Sequence, residues 1–181
     1  DIVVNNPQLW HPYNPNMYTL VSEVKVGGKI VDEIKTEIGI RTIKYTTEKG
    51  FFINGEWLYM RGTNRHQAYQ NVGDAASNSM QVRDVIDMKR GGHNAVRAAH
   101  YPQDPAFLDA CDKYGMLVVE CIPGWQYFNK DSTFIKRLYD VGLKMIRRDR
   151  NHPSVVLWET AFIESRYPFH LALDLQEFSH P

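Results

Sequence analysis

Four short clusters in this 181-residue chain carry side chains able to work on a polar ligand. They are Asn64-Arg65-His66, Arg97 with His100-Tyr101-Pro102, Glu120 with Pro123-Gly124-Trp125-Gln126, and Glu159 with Glu164. Carboxyl groups move protons, imidazole and guanidinium donate hydrogen bonds, and an indole offers a flat apolar face. Together they suit a neutral polyhydroxylated ligand, which needs hydrogen bonds at its edges and stacking on its faces. Taken singly, each has a plainer reading. A lone glutamate after a strand is usually a solvated loop charge, and His66 or His100 alone would be a hydrogen-bonded structural histidine. Trp125 and Trp158 fit packing as well as they fit a sugar platform, and His93 and His152 read as structural. Glu159 lies nearer its strand than Glu164 and competes with it as the proton donor.

The elements that would position these clusters change character along the chain. Met17 to Val26 alternates by twos, Gly27-Gly28 makes a turn, and Lys29 to Lys35 returns as a second strand. Gly39 to Tyr45 reads as a third strand, and Phe51-Phe52-Ile53, Asn54-Gly55, Glu56 to Tyr59 as a tight hairpin. These strands are too few to close two sheets, so they read as the end of an immunoglobulin-like β-sandwich. From about Tyr59 strands alternate with helices, the pattern of parallel strands joined by crossovers. The expected strands are Leu58 to Asn64, Asn94 to Ala98, Met116 to Ile122 and Val155 to Trp158. Helices are expected over Asn78 to Arg90, ended by Gly91-Gly92; from Asp104-Pro105 to Tyr114-Gly115; and onward from a cap at Asp131 or Ser132. Four such units make the first half of a (β/α)8 TIM barrel, so the fold class expected is α/β. In parallel α/β folds the functional face lies at the carboxyl ends of the strands, where all four clusters fall.

Composition narrows the partners. Lys plus Arg and Asp plus Glu both number 21, which leaves no excess positive charge for nucleic acid or for an anionic membrane. The amino terminus, Asp1-Ile2-Val3-Val4-Asn5, lacks the basic start and apolar stretch of a signal peptide. Cys111 and Cys121 fit neither a disulfide scaffold nor a metal knuckle and read as free thiols, Cys111 on the apolar side of a helix with Phe107 and Leu108. The first turn lacks the glycine fingerprint of a dinucleotide site. No metal and no cofactor are expected.

Four segments in order resemble the signature segments of glycoside hydrolase family 2, the β-galactosidase and β-glucuronidase type. They are Arg61-Gly62-Thr63-Asn64-Arg65-His66, Asn94-Ala95-Val96-Arg97-Ala98-Ala99-His100-Tyr101-Pro102, Cys111 to Glu120, and Arg148 to Trp158. Pro15-Asn16-Met17-Tyr18 and Gly39-Ile40-Arg41 also resemble that family's approach from sandwich to barrel. The resemblance implies residues 1–46 as the end of the sandwich and 47–181 as the start of the catalytic barrel. It implies a retaining hydrolase of β-linked galactosides or related sugars, with a carbohydrate as partner; the open edges and uncovered apolar surface of a half barrel lead separately to the expectation of a homo-oligomer. Carried over by position, Glu164 is the acid/base, and His66, Arg97 and His100 line the sugar pocket. The nucleophile belongs to a later strand, beyond Pro181.

Two positions depart from the family pattern. The asparagine usual before the acid/base is here Ile163, which can bond no sugar hydroxyl. On a register shifted by one, Ile163 itself replaces the acid. The segment Cys121 to Trp125 lacks the glutamate by which some members bind magnesium. Without turnover, the same chain would read as a carbohydrate-binding or scaffold protein.

Overall fold

The computed structural model describes residues 2–124, 128–160, 173–174 and 176–177. Four strands, β8 (Gly62–Arg65), β9 (Ala95–Ala98), β10 (Leu117–Cys121) and β11 (Val155–Glu159), form one parallel sheet in sequence order. The helices α1 (Asn78–Arg90), α2 (Pro105–Tyr114) and α3 (Ser132–Asp149) connect them. Seven shorter or antiparallel strands precede the sheet: β1 (Trp10–His11), β2 (Asn14–Pro15), β3 (Tyr18–Val26), β4 (Lys29–Ile38), β5 (Ile43–Thr46), β6 (Gly50–Ile53) and β7 (Glu56–Trp57).

The helix boundaries follow local chemistry. The Asp104 carboxylate accepts from the Ala106 N–H at 2.8 Å, Pro105 stands at the first helical position, and Gly115 leaves α2 in the left-handed region at φ 72°. Asp131 caps α3 by accepting from Thr133 and Phe134 N–H at 2.9 and 3.2 Å, which settles the cap between the two expected residues. Leu138, Gly142, Met145 and Asp149 form the buried stripe of α3, at the three- and four-residue spacing of one helical face. The first parallel strand begins at Gly62 and not at Leu58, because Leu58 instead packs into an apolar cluster with Phe51 and Ile53. Gly39 to Thr42 is not strand; β5 starts at Ile43 and pairs with β6.

The two faces of the parallel sheet bury different things. Val96, Ala98, Val118 and Val155 pack against Val85 of α1 and Phe107, Leu108 and Cys111 of α2. On the other face Ala95, Leu117 and Val156 meet Trp10, Phe51, Ile53 and Leu58. The β5–β6–β7 meander and the Trp10 segment therefore cover one end of that face. Trp10 is fully buried, and its Nε1 donates to the Asp112 carbonyl at 2.8 Å. The Asp112 carboxylate meets His152 Nδ1 at 2.6 Å and accepts from the Ser154 N–H at 3.0 Å, which makes His152 the structural residue expected. Burial alone would lower the His152 pKa, but the bond to Asp112 outweighs it and the pKa rises. A Cβ on Gly115 would lie 2.2 Å from the Pro12 carbonyl oxygen, so the docking of the leading segment depends on that glycine.

The β3–β4 hairpin is amphipathic in its register. Tyr18 faces Ile38, Leu20 faces Thr36 and Ser22 faces Ile34 on one side, while Thr19–Glu37, Val21–Lys35 and Glu23–Glu33 pair on the other. Ile34 and Val24 on the apolar side are exposed.

Candidate functional site

Alternation along the strands decides which side chains reach the carboxyl end of the sheet's open face. Ala95 and Arg97 share that face, so Val96 and Ala98 turn to the helices. Arg97 sits beside Asn64 on β8 and Val119 on β10. Cys121 of β10 sits beside Glu159 of β11. The guanidinium of Arg97 spans β10 and grips the Glu159 carboxylate with two parallel bonds, Nε to Oε2 at 2.6 Å and Nη2 to Oε1 at 2.5 Å. The Cys121 thiol donates a third, Sγ to Oε2 at 3.0 Å.

This geometry shifts the protonation of Glu159 and Cys121 in opposite directions. Burial pushes the Glu159 carboxyl up, but the bonds from Arg97 and Cys121 outweigh burial and hold its pKa below the ordinary value. Burial and the neighbouring carboxylate drive the Cys121 thiol far above its usual range, so it stays protonated and donates. An ionised carboxylate whose two oxygens already accept three bonds holds no proton to deliver to a leaving group. Glu159 therefore does not fit the role of competing acid/base.

His66 and His100 come together above this trio. Their rings stand edge to face at 5.4 Å between centroids, and His66 meets Tyr101 at 6.2 Å in the same manner. Tyr101 Oη accepts from the Gln67 N–H at 3.1 Å, tying the β8 and β9 ends to each other. His100 lies close enough to Glu159 to contribute to the fall in its pKa. Of the four site residues expected from the sequence, His66, Arg97 and His100 thus converge at one end of the sheet. Glu164 lies outside the described residues, as do Ile163 and Trp125. Trp158 is partly buried and packs on the helix side with Val155 and Met145, so it is packing and not a sugar platform.

Arg65, next to His66, has no part in this face. It is buried at 6 % exposure beneath Phe107, with its charge centre 4.1 Å from the ring. Its nitrogens donate to Gln103 and Gln81 at 2.5 Å and to Asp84 at 3.0 Å, so it bolts α1 to the start of α2. Glu120 is also turned to the helices. It is fully buried; one oxygen accepts from the Gln103 N–H at 3.1 Å and the other has no partner among the described residues. Burial, reinforced by Asp149, raises its pKa to about 8. The sequence reading missed the Cys121 contribution to the trio: period two from Leu117 places Cys121 on the open face, but only the register shift between Val118 and Val119 brings Glu159 beside it. Asp109, Asp112 and His152 bring three ligand-type atoms within 4.8 Å of one another, but Asp112 is already satisfied by His152 and Ser154. No helix among the described residues is long and apolar enough to cross a membrane.

Known proteins share both the sequence and the fold. Residues 43–173 match the family model "Glycosyl hydrolases family 2, TIM barrel domain", and residues 1–41 match "Glycosyl hydrolases family 2". A β-galactosidase of Thermoanaerobacter pseudethanolicus is 39% identical over 99% of this chain and 24% of its own length. A β-galactosidase of Thermoanaerobacterium thermosulfurigenes is 43% identical over 88% of this chain and 22% of its own. Among solved structures, the FMN-binding β-glucuronidase from Facaelibacterium prausnitzii L2-6 superposes with a TM-score of 0.92 at 30% identity, over 97% of this chain and 28% of that one. The chain spans about a quarter of the length of these relatives. With both family models matched in succession and the parallel sheet in place, the chain belongs to glycoside hydrolase family 2.

Proposed function

We propose that this chain is the part of a retaining β-glycosidase, acting on β-galactosides or related sugars, that carries the acid/base and one side of the sugar pocket. The observation that carries the reading is the convergence of His66, Arg97 and His100 at the carboxyl end of a parallel sheet in a family 2 chain. Residues 1–46 are the end of an immunoglobulin-like sandwich, consistent with the uncovered apolar side of the β3–β4 hairpin. Residues 47–181 are the first half of a TIM barrel, and the exposure of Leu157 on β11 fits a sheet whose neighbouring strands belong to a longer chain. The whole protein is a homo-oligomer that binds carbohydrate.

In this reading Glu164 protonates the leaving oxygen and later activates water, while a carboxylate on a later strand forms the glycosyl-enzyme intermediate. His66 and His100 hydrogen-bond sugar hydroxyls. The 181-residue chain alone does not turn over substrate, because a retaining mechanism needs the second carboxylate about 5 Å from the first.

The test uses the full-length protein with an activated aryl galactoside and an unactivated disaccharide. Glu164→Gln should abolish disaccharide hydrolysis and spare much of the aryl reaction, since only the poor leaving group needs the acid. Ile163→Asn should raise kcat by about a hundred- to a thousandfold, the value of one well-placed transition-state bond. If Ile163→Glu revives activity and Ile163→Asn does nothing, the acid belongs at position 163. Sugar binding without turnover in every variant would favour the second reading, a catalytically inactive carbohydrate-binding protein, which Ile163 motivates.

A further inference from the structure

Gln103 follows the pocket cluster His100-Tyr101-Pro102; it is 1 % exposed, and each of its polar groups has a partner. Its backbone N–H donates to Glu120 Oε1 at 3.1 Å, and its carbonyl accepts from Arg148 Nη2 at 2.8 Å. The side-chain oxygen accepts from Arg65 Nη1 at 2.5 Å, while the side-chain nitrogen donates to the Tyr101 carbonyl at 3.1 Å. Groups from β8, β10 and α3 thus meet on one buried residue. An amide suits the place, because it accepts from a cation and donates to a carbonyl at once, which neither a carboxylate nor an ammonium can do.

The loop that Gln103 supports has few free dihedrals. Pro102 and Pro105 fix their own φ, and Tyr101 and Asp104, each standing before a proline, are confined to extended backbone. Such a loop moves as one piece, so whatever holds a carbonyl also aims the side chains. Tyr101 is braced at both ends: Gln103 holds its carbonyl, and its Oη accepts from the Gln67 N–H at 3.1 Å. Gln67 Oε1 in turn accepts from the Asp104 N–H at 3.0 Å, which closes the loop onto the end of β8. Against the Tyr101 ring stands the exposed imidazole of His66, 6.2 Å away between centroids. We propose that Gln103 is a positioning residue of the pocket: it carries the hold of the buried Arg65 to the Tyr101 backbone and so sets the ring beside which His66 faces the sugar. The inference rests on the pocket assigned above and adds to it a residue that touches no sugar. Through Gln103 the helix layer, where Arg65 is bonded to Asp84 and Gln81, shapes the open face.

The experiment reads position and binding separately, both on the full-length protein. A fluorotyrosine placed at position 101 reports the ring by fluorine NMR, and phenyl 1-thio-β-galactoside, which is not hydrolysed, is titrated calorimetrically. Gln103→Glu keeps the acceptor for Arg65 and turns the donor to Tyr101 into a second oxygen, which repels the carbonyl. The fluorine line should shift or split, and affinity for the thiogalactoside should fall by about two- to tenfold, the scale of one neutral hydrogen bond. Gln103→Met is neutral and of similar size, removes both bonds, and decides the matter if Gln103→Glu does not fold; the same shift and loss are expected. Val85→Ala, in the apolar cluster of the helix layer, controls for lost stability: it should lower the melting temperature and leave the line and the affinity unmoved. A Val85→Ala that matches the Gln103 variants in both readouts overturns the proposal, since general loosening would then account for them. A wild type that binds the thiogalactoside while the Gln103 variants leave either the line or the affinity unmoved overturns the proposal alone. A wild type that binds no thiogalactoside overturns the pocket reading, and the proposal with it.

Discussion

Glu120 and Cys121 are neighbours on one strand, yet they belong to two different regions of the molecule. Glu120 turns into the helix layer, where it is sealed from water and its pKa is raised to about 8. Cys121 turns to the open face and its thiol donates a hydrogen bond to Glu159, whose carboxyl is held below the ordinary range by the bonds from Arg97 and Cys121. The helix layer is closed, with Phe107, Leu108, Val96 and Ala98 all fully or almost fully buried and its polar groups, Arg65 among them, sealed in with them. The open face is polar at one end and plugged by Trp10 and the meander at the other. Close packing is concentrated on the first face and the candidate site residues on the second, because close packing tolerates no ligand and a ligand tolerates no close packing.

The largest effect that could break this contrast comes from core truncation. Phe107→Ala in the helix layer should cost about 3–5 kcal/mol, whereas Leu157→Ala, on a residue 46 % exposed, should cost under about 1 kcal/mol. Paired urea unfolding curves would measure both, and equal losses would mean that the open face is packed as tightly as the other.

A smaller effect concerns pH. A carboxyl whose folded pKa is raised binds its proton more tightly folded than unfolded, so its contribution to stability is greatest at low pH. That contribution falls as pH climbs from the unfolded value through about 8. Glu120→Gln keeps an acceptor for the Gln103 N–H and removes the titration. Over that window the variant should gain on the wild type by at most about 1.4 kcal/mol per pH unit. Melting temperatures between pH 5 and 8.5 would show the two curves converging at the acid end, and parallel curves would place the Glu120 carboxylate in contact with water.

The smallest effect is kinetic. Cys111 and Cys121 are both buried and both thiols are pushed up, Cys111 by burial and nearby carboxylates, Cys121 by burial and Glu159. Neither should react with iodoacetamide at pH 8 in the folded protein, and both should react in urea. Prompt labelling of Cys121 alone, read by peptide mass, would mean that the trio on the open face opens readily.

Much of this contrast could be read from the residues before any fold was known. The helices over 78–90 and 105–114 followed from their apolar spacing and from Asp104-Pro105, Gly91-Gly92 and Gly115, because those signals are local. His66, Arg97 and His100, which converge at one end of the sheet, were legible as strand-end clusters. What lay hidden depends on contacts distant in sequence. Arg97 and Glu159 are 62 residues apart, and no local signal says that the arginine will take that glutamate as its partner. Leu58 reads as strand by composition, yet the cluster with Phe51 and Ile53 takes it out of the sheet. Trp158 could be assigned to the helix side only once the bulge between Val118 and Val119 had set the register of β11.

The bond from Trp10 to the Asp112 carbonyl joins groups 102 residues apart, and that separation has a consequence for how the chain is made. Synthesis runs from the amino end at about 5–20 residues per second, so the indole leaves the ribosome about 5–20 s before the carbonyl it will bond. Throughout that interval a side chain that ends fully buried has no native floor to settle on. Contacts this distant in sequence close late, since the entropy of the intervening loop is lost before the contact forms. The nascent chain therefore exposes for seconds a tryptophan that ends fully buried, which makes the Trp10 segment a place where a chaperone that grips apolar, extended chain would be expected to hold.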